Sequence, residues 1–418
     1  MEHSDYPLSE VPNSERKGLF STSVVLLGFT FFTSTMWAGG TLGQAFSFGE
    51  LMLAILIGNL LLGGYAAALA YIACKSGLNS VLMGRFCFGE TGSKLSDFVL
   101  GFTQIGWYAW GTATIAIVLT KTTGLPESFQ IPLMILFGFA FCITAMVGYK
   151  GLDLLSRVAV PAMMVFILVS LYTGLLDVGG VSALVGKTPS ESMGFAAAIT
   201  VVIGTFISGG TQATNWSRFA RTPRTAVIAT LAAFFVGNGL MVLTGALGTL
   251  IYQQADIVDV MLAQGFVVLA VLMLFLNIWT TQDNTIYNFA VAGCNLLRTD
   301  KRRLVTIGGA AIGTVMAVGG MYNLLIPFLI LLGTFIPPIG GVIMADFWLH
   351  HKGRYPKLAE VSLPAFNWFG LGAYALGSAS AYASPVLPPI VGVLVAALCY
   401  GVLIRLPKCA PMLDAAEG

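Results

Sequence analysis

The chain has 418 residues, 56% of them apolar and 10% charged, with a net charge of +2. An ordinary soluble domain carries about 25% charged residues, so the excess apolar surface must face lipid. A soluble enzyme, a nucleic-acid binder and a secreted disulfide scaffold are excluded on that ground, and the net charge alone identifies no partner.

Residues 1–19 are polar and charged, and read as a cytoplasmic tail with no removable signal peptide. Apolar runs then predict about twelve transmembrane helices: 20–45, 51–73, 96–120, 130–148, 153–175, 194–215, 225–251, 265–292, 304–320, 323–348, 366–382 and 384–405. A hydrocarbon core of about 30 Å takes roughly 20 residues of helix. The run at 304–320 is short and reads as merging into its neighbour. Unpaired backbone in lipid is too costly for anything but helix, and the ten-residue alternation of a β-barrel is absent. The connection 74–95 reads as cytoplasmic and partly helical, 176–193 as an external loop, 255–264 as a short surface helix and 406–418 as a frayed cytoplasmic tail. With an even number of spans both ends lie on one side, which collects 19 of the 21 Lys and Arg residues; only Lys121 and Lys187 fall on the other. Basic loops stay inside, so both termini are expected in the cytoplasm, the protein sitting in a cell inner membrane.

Two spans are unlike the rest. The first carries Gly28, Gly39, Gly40 and Gly43 among Thr30, Thr33, Ser34 and Thr35; the sixth carries Gly204, Gly209 and Gly210 around Thr205, Phe206 and Ser208. Gly pairs amid hydroxyl side chains make a poor continuous helix and predict local unwinding. Five spans separate the two, so a second copy of the unit would be upside down, the arrangement of an inverted-repeat transporter. Close helix packing through small residues is the competing reading.

Polar residues inside the spans mark the candidate site. On the eighth span Asn277, Thr280, Thr281 and Asn284 share one helix face. The Thr280 and Thr281 hydroxyls beside the Asn277 carbonyl suit a hard cation, with carbonyls near Gly28 and Phe31 completing the shell. Bonding of these side chains to neighbouring helices is the alternative. On the third span Gln104 and Trp107 are three apart, with Trp110 three further on. With Phe206 and Ser208 they suit a small, flat, polar heterocycle, the rings stacking on it and the amides pairing with its edge; plain packing is again the alternative for the tryptophans. Trp216 and Trp348, next to charged loops, read as interface anchors. Asp283 is the one acid well inside a span; a proton-coupled carrier would use it, whereas neutral oxygens favour sodium. Cys74, Cys87, Cys142, Cys294, Cys399 and Cys409 show no ligand spacing. His3, His350 and His351 lie in polar or terminal segments. No enzyme chemistry, cofactor, nucleic acid or obligate protein partner is expected.

Six segments then carry a resemblance: GFTFFTSTMWAGGTLG from Gly28, LIGNLLLG at 56–63, TQIGW at 103–107, GTFISGGTQATNWSRF at 204–219, LNIWTTQDN at 276–284 and IPPIGGVIMADF at 336–347, preceded by ERKG near the N-terminus. In this order, over almost the whole chain, the sequence resembles the nucleobase–cation symporter family. The resemblance implies an all-α integral membrane protein with a leucine-transporter-type 5+5 inverted repeat. Helices 1 and 6 would be broken, the first repeat would span 20–175 and the second 194–348, and two peripheral helices would follow at 366–405. It implies alternating access and cation-coupled import, with cytosine as the substrate. By resemblance, sodium is held by carbonyls of Gly28, Phe31 and Asn277 and by the hydroxyls of Thr280 and Thr281. The base stacks on Trp107 and Phe206, and Gln104, Ser208 and Asn277 bond to its edge. Distant members of the family carry a second Trp near the sixth-span break, where this chain has Phe206 and Ser208.

Overall fold

The computed structural model describes residues 5–405, and the expected tail 406–418 lies outside the described residues. In chain order the helices are α1 (Leu19–Thr30), α2 (Thr33–Ala45), α3 (Phe48–Ser76), α4 (Ser80–Phe88), α5 (Ser93–Thr123), α6 (Gln130–Ala140), α7 (Cys142–Val147) and α8 (Tyr149–Asp177). Next come α9 (Val181–Val185), α10 (Phe195–Gly204), α11 (Ile207–Gln212), α12 (Thr214–Ser217), α13 (Pro223–Leu231), α14 (Asn238–Tyr252) and α15 (Ile257–Ala263). The last six are α16 (Val267–Leu297), α17 (Arg302–Val318), α18 (Leu325–Phe335), α19 (Pro337–Ala345), α20 (Trp368–Ala383) and α21 (Pro388–Leu403). Among the described residues, six stretches suffice by length and apolarity to cross a membrane, and eight when each bent pair counts as one span. The other expected spans are helical but fall outside that count. α17, α20 and α21 have only 17, 16 and 16 residues, and the long α5 spends one face on buried polar groups such as Asp97, Thr103 and Gln104.

The distribution of side chains is that of a protein in lipid. On α8 the outward residues Leu154, Val158, Val165, Leu168 and Tyr172 are all more than half exposed, a surface that water would penalise at roughly 25 cal/mol per Å². On α16 the pattern reverses, and Asn277, Thr280, Thr281, Gln282, Asp283, Asn284 and Asn288 are all buried. Polar groups in such a span face the bundle interior.

Two spans bend at breaks. α1 and α2 meet at 60°, and α10 meets the segment Ile207–Ser217 at 43°. Phe31 and Phe32 lie between α1 and α2, Phe32 with extended backbone; Thr205 and Phe206 lie between α10 and α11. The breaks therefore fall before the Gly pairs, not on them. Gly39, Gly43 and Gly245 serve close packing instead. A methyl group on Gly39 would overlap the Val242 carbonyl, one on Gly43 would lie 2.6 Å from the Ala246 oxygen, and one on Gly245 would overlap the Met36 carbonyl. Small residues let α2 lie directly on α14, as small-residue motifs do in membranes. In the complementary place α10 packs on α3, so the two broken spans share a central group with α3 and α14.

Three further expectations need correction. The 304–320 run does not merge with its neighbour: a 3-10 turn at Met321–Leu324 separates α17 from α18. The segment near 255–264 is not a surface helix, because Ile257, Val258, Val260 and Met261 of α15 are buried. Trp216 is no interface anchor; it is fully buried and tilts over Phe29 with ring centroids 4.7 Å apart.

The N-terminal segment is folded onto one face of the bundle. Arg218, fully buried, donates to the main-chain oxygens of Asp5 at 2.8 Å and Tyr6 at 2.9 Å. The Asp5 carboxylate accepts from Tyr149 N at 2.8 Å and lies 3.8 Å from the Arg302 guanidinium. Val11 is buried, and Glu10 accepts from Leu358 N at 2.6 Å. Arg16 reaches the carbonyls of Cys74 and Ala220, and Lys17 pairs with Ala220 in a parallel bridge. This strap joins the starts of α8 and α17 to the ends of α3 and α12, which closes that face.

Candidate functional site

The first break is fastened to α16. Phe31 ends α1, and its carbonyl oxygen, left without an intrahelical donor, accepts from the Thr281 hydroxyl at 3.2 Å. The same hydroxyl lies 3.1 Å from the Asn277 carbonyl oxygen, and the Thr280 hydroxyl lies 3.3 Å from it and 2.8 Å from that of Leu276. Gly28 faces this cluster from α1: a β-carbon there would stand 3.5 Å from Thr280 Cβ and 2.7 Å from Ser156 Oγ. Four of the five residues expected to hold an ion, Phe31, Asn277, Thr280 and Thr281, are thus joined by hydrogen bonds. Gly28 lies against Thr280. Ser156, on α8, had no sequence signal; its hydroxyl is buried without a partner beside the same backbone.

A tight cavity of about 10 Å³ adjoins the cluster, lined by Phe29, Phe32, Gln104, Trp107, Thr205, Phe206, Ser208, Gly209, Thr281 and Thr285. Four of the five residues expected to hold a flat heterocycle are in that lining. Asn277 is not; it lies one helical turn from Thr281, with its side-chain oxygen bonded to Thr33 N at 3.1 Å and Thr33 Oγ1 at 2.9 Å. Phe32 packs edge-on to Trp107 and Trp110 with centroids 5.5 Å away in each case. Phe206 meets Phe29 edge-on at 5.0 Å. The rings close on this tight space edge-on, and a planar guest would stack on their faces once they part. Trp110, by contrast, stacks on Tyr322 at 5.6 Å and stays out of the cavity.

Buried amides supply the polar part. Gln104 Oε1 accepts from Asn288 Nδ2 at 3.4 Å, and Asn288 Oδ1 accepts from Asn215 Nδ2 at 2.8 Å. Gln104 Nε2 and Asn277 Nδ2 are buried and have no protein partner. A buried donor without a partner costs free energy of about 1–3 kcal/mol, and a bound acceptor would recover it. Asn288, Asn215, Thr285 and Thr33 were not singled out in the sequence. Asn288 could have been, since it continues the polar face of α16 one turn beyond Asn284.

Trp107 and Thr205 also line a larger opening of about 370 Å³ between α2, α10, α18 and the α20–α21 connection. The two spaces thus share a wall at Trp107 and Thr205. Asp283 is fully buried; Oδ1 accepts from Asn284 Nδ2 at 3.2 Å, while Oδ2 has no partner. Among the described residues, one group of three metal-type ligands comes together elsewhere, Asp346, His350 and His351. Both Asp346 oxygens are already occupied by the hydroxyls of Tyr355 and Tyr400 at 2.7 Å. Burial also holds the His351 imidazole below its ordinary pKa. That group reads as a structural pin between α19 and α21.

The chain is similar along most of its length to known membrane permeases. Residues 10–403 match the model of a family described as permeases for cytosine/purines, uracil, thiamine and allantoin. The cytosine permease of Escherichia coli (strain K12) is 40% identical over 400 residues, covering 96% of this chain and 94% of the relative. The hydantoin permease of Microbacterium maritypicum is 23% identical over 443 residues, covering 96% and 88%. Among solved structures, Mhp1, a nucleobase-cation-symport-1 family transporter in a closed conformation with bromovinylhydantoin bound, superposes with a TM-score of 0.84 at 18% identity. It covers 97% of this chain and 95% of that one. A Na+-coupled sialic acid symporter superposes with a TM-score of 0.70 at 12% identity, covering 93% and 90%.

Proposed function

Because the chain belongs to the family of permeases for cytosine, purines, uracil, thiamine and allantoin, we propose that it imports cytosine by sodium-coupled symport with alternating access. The single observation that carries the reading is the contact between the two halves of the site. Thr281 bonds to the Phe31 carbonyl and also lines the cavity of Gln104, Trp107, Phe206 and Ser208. Sodium takes hard oxygen ligands, and the carbonyls of Gly28, Phe31 and Asn277 with the hydroxyls of Thr280 and Thr281 would supply five. A planar base would stack on Trp107 and Phe206, with Gln104, Asn277 and Ser208 on its edge. Sodium bridging α1 and α16 would favour the state open on the side of the large opening. Only differential affinity for two states shifts their balance, and such coupling is reciprocal, so sodium tightens base binding and the base tightens sodium binding. The protein would work in a cell inner membrane with both termini in the cytoplasm, and the strap would close the cytoplasmic face.

The test is uptake of radiolabelled cytosine into proteoliposomes, with sodium and proton gradients imposed independently and a panel of bases as competitors. Uptake that follows the sodium gradient and is blocked first by unlabelled cytosine supports the reading; uptake indifferent to sodium overturns it. The second reading, a proton-coupled carrier for another nucleobase or hydantoin-like heterocycle, rests on Asp283. A carboxylate within a span with no cationic partner is costly in its charged form, and so suits proton carriage. It predicts uptake driven by a pH gradient in sodium-free buffer and lost in Asp283→Asn.

A further inference from the structure

Asn277 is the one residue expected in both halves of the site. Its main-chain oxygen lies within 3.3 Å of the hydroxyls of Thr280 and Thr281, on the ion side. Its side-chain oxygen accepts two hydrogen bonds from Thr33, one from the main-chain N–H and one from the hydroxyl. A main-chain N–H can only donate, so the Asn277 atom that faces it is the oxygen. The amide nitrogen is thereby turned away from Thr33, buried and without a protein partner, one helical turn from a residue that lines the cavity.

The location of Thr33 gives this contact its meaning. It is the first residue of α2, and the first N–H groups of a helix have no intrahelical acceptor. Phe32, in the N-cap position, offers no side-chain cap. Asn277 therefore caps α2 from another helix. Two residues upstream, Phe31 puts its carbonyl on Thr281. The stretch 31–33 thus touches α16 twice, once at an expected ion ligand and once at the amide that would read the base. One hydroxyl hydrogen bond is the polar tie between the Phe31 carbonyl and α16; a cation shared by that carbonyl and the Thr281 hydroxyl would fasten both.

We propose that Thr33 is a positioning residue that couples ion binding to base recognition. The ion fixes the 31–33 stretch on α16, Thr33 holds the Asn277 oxygen, and the amide nitrogen is presented as a donor. In that state the site selects heterocycles with a carbonyl acceptor at the facing edge. With the stretch released, the amide can turn and offers donor and acceptor alike, and the selection weakens. The inference rests on the sodium-coupled reading above and adds to it the residue that carries the coupling.

The experiment measures tritiated cytosine binding to the purified full chain in sodium chloride and in choline chloride of equal ionic strength. The sodium-induced gain in affinity is the readout. A gain of tenfold or more is expected for the unaltered protein. Thr33→Val keeps the shape and removes one of the two bonds, and the gain should fall at least threefold; Thr33→Ser should restore it. Sodium should also widen the preference for cytosine over 4-aminopyrimidine, which lacks the ring carbonyl, and should do so less in Thr33→Val. A Thr33→Val protein that keeps the full gain and the full widening overturns the proposal while leaving sodium coupling intact. A gain of one in the unaltered protein overturns the sodium reading and this proposal together. Hydrogen–deuterium exchange needs no variant: sodium should slow exchange at the Thr33 amide at least fivefold, and an unchanged rate there counts against the tether.

Discussion

The two broken spans do different work with the same kind of interruption. The break at Phe31–Phe32 is drawn onto a third helix by polar groups: Thr281 takes the Phe31 carbonyl and Asn277 takes Thr33. The break at Thr205–Phe206 is fastened to α14 instead of α16. Thr205 turns its hydroxyl to the Val202 carbonyl and to Asn238 on α14, and the ring of Phe206 faces the cavity. One interruption is an oxygen-rich joint, the other a hydrophobic wall with Ser208 at its edge. An unwound helix is thus a blank. The neighbouring side chains decide whether its freed groups serve an ion or leave room for a ring.

This contrast can be broken or sharpened by substitution. The largest effect is expected at the aromatic wall: Trp107→Ala should weaken cytosine binding by 100-fold or more, because it removes a stacking face, and equilibrium binding measures it. Gln104→Ala should come next, at tens of fold, as one polar contact is lost; its sodium response should stay close to the unaltered one. Thr281→Ala should do the reverse, cutting the sodium-induced gain about tenfold with a smaller loss in sodium-free binding. If Thr281→Ala and Trp107→Ala give the same pattern, the division of labour is wrong. Gly39→Val probes the packing of α2 on α14 rather than either joint: overpacking of this kind costs about 1–3 kcal/mol, read as a lowered melting temperature in detergent. The smallest effect is assigned to Asp283→Asn, within about twofold for sodium-driven uptake, since its carboxylate bonds to Asn284 and not to the oxygens of the joint; a total loss would favour the proton-coupled reading.

Much of this was visible in the sequence, and the misses have physical reasons. The stripe of Asn277, Thr280, Thr281 and Asn284 stands out because lipid-facing helix has no use for it. The spacing of Gln104 and Trp107 is legible for the same reason. The positions of the breaks were not, because glycine allows both unwinding and close approach, and here Gly39 and Gly43 took the second course. The aromatic and β-branched stretch Thr30–Thr33 is the true weak point of the first span. Trp216 misled because it neighbours Arg218 and Arg221 in sequence. Arg218, however, is buried under the strap, so the tryptophan is interior. Thr33, Asn215 and Asn288 matter through partners tens to hundreds of residues away, and a single sequence does not display those pairings.

The strap at the start of the chain has a consequence for biosynthesis. Its residues are made before the groups they dock on: Glu10 waits for Leu358, 348 positions downstream, and Asp5 for Arg218 and Arg302. Contacts so distant in sequence are slow to form. Docking of the strap is therefore complete only late in synthesis, and it certifies that the rest of the bundle has been inserted in register.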